Sequence, residues 1–326
     1  MLGSRIGRRG ALRSAALVAL LVVGAGLAQQ AGAPATASAS EPRDPSPALI
    51  RFRLPSESGR PLSPNSFNYA QHATRRGPLL LFLPATRAQP GNYRAFLAAA
   101  SSLGYHVLAL DYWNRGRSVT RTCTTDASCY TSVQRNRFDG SDPTRFSDVD
   151  PANSVLSRLR DALDYLRGHD SDGGWSRYST GPHIHWSRIV LAGHSQGGGE
   201  SAYIAHRHRA HGVLMFSSPV DTDSGIAASW MHRRGATPPT AMYGLVNSHD
   251  MYFEKIVGSW TELGMGQRKE TSDAAMLTGS HELISSSVIG TPAQSHDRSV
   301  SDRSPVGADG LPMYRSAWIW MLRQVR

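Results

Sequence analysis

The chain has 326 residues, 40% of them hydrophobic and 18% charged, with a formal net charge of +10 at pH 7. That is length enough for one large domain with a sizeable core, and the composition excludes a disordered chain or a membrane-embedded one. The positive charge does not point to nucleic acid, because Arg5, Arg8, Arg9 and Arg13 cluster at the N-terminus, Lys255 and Lys269 are the only lysines, and no basic helix or basic–aromatic alternation occurs.

Residues 1–39 read as a signal peptide. A basic start is followed by an apolar run, Ala15 to Ala28, and then by small residues with Ala37-Ser38-Ala39 as a cleavage site and Ala35-Thr36-Ala37 as its rival. The apolar run is shorter than the ~20 residues of a spanning helix, so no stable membrane insertion is expected after cleavage. Export to the periplasm or the medium follows as an expectation, with 40–326 as a single mature domain. In an oxidising compartment Cys123 and Cys129, six residues apart, are expected to form a disulfide.

A proline-rich lead-in ends near Pro47. Leu49 to Leu54 then alternates apolar and basic residues, as an antiparallel edge strand does, and the polar stretch from Pro55 to Gly77 has room for one more short strand. Pro78 to Pro84 is a continuous apolar run of the kind buried on both faces of a parallel sheet. Asn92 to Leu103 has a helical apolar face and ends at Gly104, and Tyr105 to Asp111 is the next strand, which makes a βαβ unit. Residues 113–151 form a polar insertion carrying the cysteine loop, placed over the carboxyl edge of the sheet. Asn153 to Arg167 reads as a helix capped by Asn153. Strands follow at Ile189 to Ala192, Gly212 to Pro219 and Thr240 to Val246, then a helix at Tyr252 to Leu263, a strand within Ala274 to Val288 and a closing helix at Ser316 to Arg323. The alternation predicts an α/β fold, a mostly parallel, doubly wound sheet flanked by helices.

The chemistry centres on Gly193-His194-Ser195-Gln196-Gly197-Gly198. An apolar strand leads into it, and a helix is expected from near Gly198. This is the form of a nucleophile elbow, a sharp strand-to-helix turn that lifts one serine hydroxyl above the sheet edge. Glycine is needed on both sides because the flanking backbones pass too close for a Cβ. On this motif the sequence resembles the α/β-hydrolase superfamily, specifically a bacterial secreted serine esterase, over about Leu79 to the C-terminus.

The resemblance implies a Ser–His–acid triad in which acid and histidine follow the serine in the chain. Asp250, just past the Thr240–Val246 strand, is the preferred acid, with Asp221 past the preceding strand as its rival. Only His281 and His296 follow Asp250. His296, in a loop ahead of the last helix, is the preferred base. His281 takes the role if the last strand ends near Gly279. The oxyanion hole is assigned to the backbone N–H of Gln196 and of Thr86, with Ala85 as the fallback. No cofactor is expected, and the His183/His185 and His206/His208 pairs lack an acidic cluster to make a metal site. The expected activity is hydrolysis of a small carboxylic ester. A peptidase or acyltransferase on the same fold, or a non-catalytic binding protein, are the alternatives. The segment from Val220 to Pro239, where a lid is often inserted, is too short for a long amphipathic helix.

Overall fold

The structure is a computed structural model that describes residues 48–55, 62–73, 77–123, 127–266, 268–270 and 279–326. The expected signal peptide and the residues up to 47 lie outside these. Nine strands form one sheet: β1 (Ile50–Phe52), β2 (Asn68–Gln71), β3 (Leu79–Leu83), β4 (His106–Ala109), β5 (Ile189–His194), β6 (Gly212–Phe216), β7 (Met242–Asn247), β8 (Arg268–Glu270) and β9 (Glu282–Ser285). Their spatial order is β1-β2-β4-β3-β5-β6-β7-β9-β8. β1 and β2 pair antiparallel at one edge, and every pairing from β4 to β8 is parallel. The helices are α1 (Arg94–Ser102), α2 (Ala127–Asp139), α3 (Val155–His169), α4 (Gln196–Arg207), α5 (Phe253–Glu262), α6 (Pro292–Asp297) and α7 (Arg315–Gln324). This is an α/β fold, a mostly parallel sheet flanked by helices.

The continuous apolar runs fill both faces of the sheet, because side chains alternate sides along each strand. Leu79, Leu81, Leu83, Ile189, Leu191, Val213 and Met215 face one layer with α3 and α4. Leu80, Phe82, Val190, Ala192, Leu214 and Phe216 face the other, where Phe96 of α1 and Trp318 of α7 meet edge to face at 5.8 Å. All five residues of β3 are fully buried, each worth about 2 kcal/mol of transfer free energy.

Several local expectations are revised. The insertion is not only loop. Its residues 127–139 form α2, which places Tyr130, Val133, Gln134, Arg137 and Phe138 on one buried face. That face mixes apolar, amide and charged groups, so no hydrophobic period marks it. The Cys123–Cys129 disulfide is present, with both residues buried, and ties the one-turn helix Val119–Thr122 to the start of α2. α3 is capped by Ser154, whose hydroxyl accepts from Ser157 N–H at 3.2 Å. Asn153 instead accepts from Ser63 N–H and from the buried Arg158. The edge strand β8 is built of charged residues, Arg-Lys-Glu, and no apolar pattern announces it. Among the described residues no helix is long and apolar enough to cross a membrane.

Candidate active site

β5 ends at His194 and α4 starts at Gln196, two residues earlier than the glycines suggest. Ser195 between them has φ 52° and ψ −117°, a conformation that costs a non-glycine residue ~1–3 kcal/mol. Three hydrogen bonds hold it there. Its N–H donates to Phe216 C=O at 2.9 Å, and its C=O accepts from the N–H groups of Gly198 and Gly199 at 3.0 Å. A Cβ on Gly193 would strike the Gly197 carbonyl, and one on Gly197 would strike the Leu83 carbonyl. Both glycines are therefore demanded by backbone contact.

His296 lies on α6. That short helix opens with a capping box, Thr291 and Gln294, and with Pro292 in its first turn, a pattern readable in the sequence that the loop expectation passed over. Its Nε2 is 2.7 Å from Ser195 Oγ, and its Nδ1 is 2.9 Å from both carboxylate oxygens of Asp250. Asp250 is delivered by a turn after β7. Asn247 Oδ1 accepts from His249 N–H and Asn247 C=O from Asp250 N–H. Asp250 Oδ1 also accepts from Tyr252 N–H at 2.8 Å. A carboxylate accepts only, so it holds the proton on Nδ1 and leaves Nε2 free to accept from the serine hydroxyl. The ring of Tyr252 stands edge-on to His296 at 5.1 Å, and its hydroxyl accepts from Thr120 of the insertion at 3.1 Å.

The rival residues lie in other surroundings. His281 precedes β9, bonds Met242 C=O at 2.9 Å and stacks on Tyr243. Asp221 is fully buried and accepts from Gln134 Nε2 at 2.9 Å and Trp230 Nε1 at 3.2 Å. Burial pushes its carboxyl up to about 6 against these two hydrogen bonds.

The loop after β3 is clamped. Tyr112 hydroxyl donates to Pro84 C=O at 2.8 Å, Asn114 Nδ2 to the carbonyls of Ala85 and Ala88 at 2.7 and 2.8 Å, and Arg87 N–H to Asn114 C=O at 3.0 Å. Ala85 N–H donates to the Tyr93 hydroxyl at 3.1 Å, so the fallback donor is occupied. The N–H groups of Thr86 and Gln196 have no hydrogen-bond partner among the described residues. The two residues are tied by Thr86 Oγ1 donating to Gln196 Oε1 at 2.8 Å. Such an arrangement can activate a hydroxyl and offer two free donors to an anion beside it.

Sequence reasoning missed the partners of His194. This fully enclosed ring bonds the Tyr93 hydroxyl through Nδ1 at 3.0 Å and His296 C=O through Nε2 at 2.9 Å. A histidine closing a continuous apolar strand, just before the elbow serine, is the available signal. Among the described residues no group of three or more His, Cys, Asp or Glu could hold a metal ion.

No protein-family model and no curated protein matches the sequence. Among solved structures the chain is similar to an S-formylglutathione hydrolase from Agrobacterium tumefaciens, with 15% identity over 85% of this chain and 95% of that one and a TM-score of 0.47. It is also similar to carboxyl esterase 2 from Tuber melanosporum, with 10% identity, 87% and 89% coverage and a TM-score of 0.45. A third is a dienelactone hydrolase from Anabaena variabilis, with 12% identity, 84% and 98% coverage and a TM-score of 0.38. Each of these three is a hydrolase or an esterase by its own description.

Proposed function

We propose that the protein is an exported serine hydrolase that cleaves a carboxylic ester through a covalent acyl-enzyme. The observation that carries this reading is the continuous hydrogen-bonded line from Ser195 Oγ through His296 to Asp250, 2.7 Å and then 2.9 Å long. Ser195 Oγ attacks the ester carbonyl carbon while its proton moves to His296 Nε2. Asp250 holds the ring and stabilises the imidazolium. The negative charge that forms on the carbonyl oxygen is met by the N–H groups of Thr86 and Gln196. Its neighbour, the start of α4, adds a favourable dipole. His296 then gives its proton to the leaving alkoxide as the C–O bond breaks. In the second half a water loses a proton to His296 and attacks the acyl carbon, and Ser195 recovers its proton as the acid departs.

A short acyl group fits the segment from 220 to 239. It holds only a two-residue ribbon, Thr222–Asp223 with Ile226–Ala227, and no helix long enough to cover an extended chain. Export is supported by the sequence of residues 1–39, and the disulfide is compatible with it.

The test is labelling of the mature protein with a fluorophosphonate, alongside hydrolysis of p-nitrophenyl acetate and butyrate. Wild type is expected to label and turn over, and Ser195→Ala and His296→Ala to lose both. Labelling abolished by His281→Ala but retained in His296→Ala would replace the base. A folded wild type that neither labels nor hydrolyses any ester would overturn the reading.

A further inference from the structure

We infer that Tyr93 and His194 are positioning residues that lock the oxyanion loop to the catalytic base and commit Thr86, not Ala85, as the loop's donor. This inference rests on the serine-hydrolase reading and adds two residues that never touch substrate.

The hydrogen bonds can run in one direction only. The His296 backbone carbonyl, 2.9 Å from His194 Nε2, can only accept, so the proton of neutral His194 sits on Nε2. Nδ1 is then an acceptor and takes the hydrogen of Tyr93 Oη, 3.0 Å away, while that oxygen accepts from Ala85 N–H at 3.1 Å. That carbonyl also receives the Ser299 hydroxyl at 3.4 Å. The line thus starts on the residue before one proposed oxyanion donor and ends on the backbone of the base, passing through the residue just before the nucleophile. Tyr93 and His194 are almost fully enclosed, with rings 5.8 Å apart and edge-on, so neither can swing away.

The direction holds while His194 is neutral, since a proton on Nδ1 removes the acceptor to which the Tyr93 hydroxyl donates. Burial, and next the charge His296 takes on, push His194 down to about 4, against the pull of its bond to His296 C=O and of Asp297 and Asp250. Its direction is therefore fixed at neutral pH. With Ala85 N–H occupied, the loop can offer the carbonyl oxygen only the next N–H. Removing the Tyr93 hydroxyl frees Ala85 and loosens the register of both donor and base, which lowers the rate of attack without changing the acyl pocket.

A direct test compares fluorophosphonate labelling rates and ester kinetics of wild type, Tyr93→Phe, His194→Phe and His194→Gln. An amide places an acceptor and a donor at nearly the spacing of the two ring nitrogens, so His194→Gln can rebuild the line, whereas His194→Phe keeps the ring shape and loses both bonds. The expected result is a fall of about tenfold or more in labelling rate and kcat for Tyr93→Phe and His194→Phe, with KM within roughly threefold, and recovery of most of that loss in His194→Gln. Packing alone predicts the reverse order of the two His194 variants. The inference is overturned if Tyr93→Phe labels within about twofold of wild type, or if His194→Gln is no faster than His194→Phe. A wild type that does not label at all instead removes the serine-hydrolase reading, so the two failures are distinguishable.

Discussion

Asp250 serves two partners with one carboxylate, Tyr252 N–H on Oδ1 and His296 Nδ1 on both oxygens. Asp250→Asn can keep the first bond and must corrupt the second. Its NH2 can face Nδ1 only if that nitrogen has lost its proton, which moves the ring proton to Nε2, where it blocks transfer from Ser195. The expected result is a fall of roughly 10³–10⁴ in kcat with the melting temperature little changed. A fall below about tenfold would count against the arrangement. His281→Ala should leave kcat as it is, because that ring is occupied by Met242 C=O and Tyr243. At this scale the proposed nucleophile is legible as an elbow, since two glycines are needed by backbone contacts around one serine. The proposed acid and base are legible only as pairs of candidates. Chain order admits Asp221 with Asp250 and His281 with His296, and nothing in a linear pattern measures which side chains converge. The distinction lies in the sheet. His281 enters β9 at its beginning, whereas the elbow and the Asp250 turn follow the ends of β5 and β7.

Among the elements, the buried strands were the most readable, because a strand enclosed on both faces must be apolar throughout. Helix α2 escaped because its buried face carries Gln134 and Arg137 beside Tyr130, Val133 and Phe138, so hydropathy and position disagree. Strand β8 escaped because it consists of three charged residues, of which Arg268 and Glu270 are exposed, so no apolar period marks it. A helix with so polar an inner face gains little from burial alone, and a covalent tie at its start matters more. The Cys123–Cys129 bond closes a loop of sequence separation 6, for which chain entropy gives about 2 kcal/mol. Replacing both cysteines with alanine, or reducing the wild type, should lower the urea midpoint by a corresponding amount and speed amide exchange in 127–139 before that of β3 and β5. An unchanged midpoint together with unchanged exchange in α2 would show that α3 and α4 hold it without the disulfide.

Across the whole molecule the apolar layers on the two faces of the sheet are supplemented by charge buried beneath the elbow. Glu200 on α4 is fully enclosed, Arg137 on α2 nearly so, and Asp221 lies beside them. Burial raises Glu200 well above its usual value, against the attraction of Arg137, and burial lowers Arg137. Such a cluster costs desolvation energy, and its titration must appear in the stability of the protein. For Asp221 the sign is definite. Its carboxyl ionises near 3.8 in the ordinary case and is pushed up to about 6 in the fold. Between those values the folded protein holds a proton that the unfolded chain has released, so the contribution of this group is complete below 3.8 and is lost as the pH rises through 6. The loss is about 3 kcal/mol at most, from ~1.4 kcal/mol for each unit of displacement. Asp221→Asn has no such titration and can still accept from Gln134 and Trp230. Urea unfolding of both proteins at pH 4, 5, 6 and 7 should therefore show the stability of wild type, relative to the variant, falling by up to that amount between pH 4 and 6 and levelling off above. A difference that does not vary with pH would mean that Arg137 keeps Asp221 ionised throughout, and that the charge beneath the elbow is a standing ion cluster instead of a protonated one.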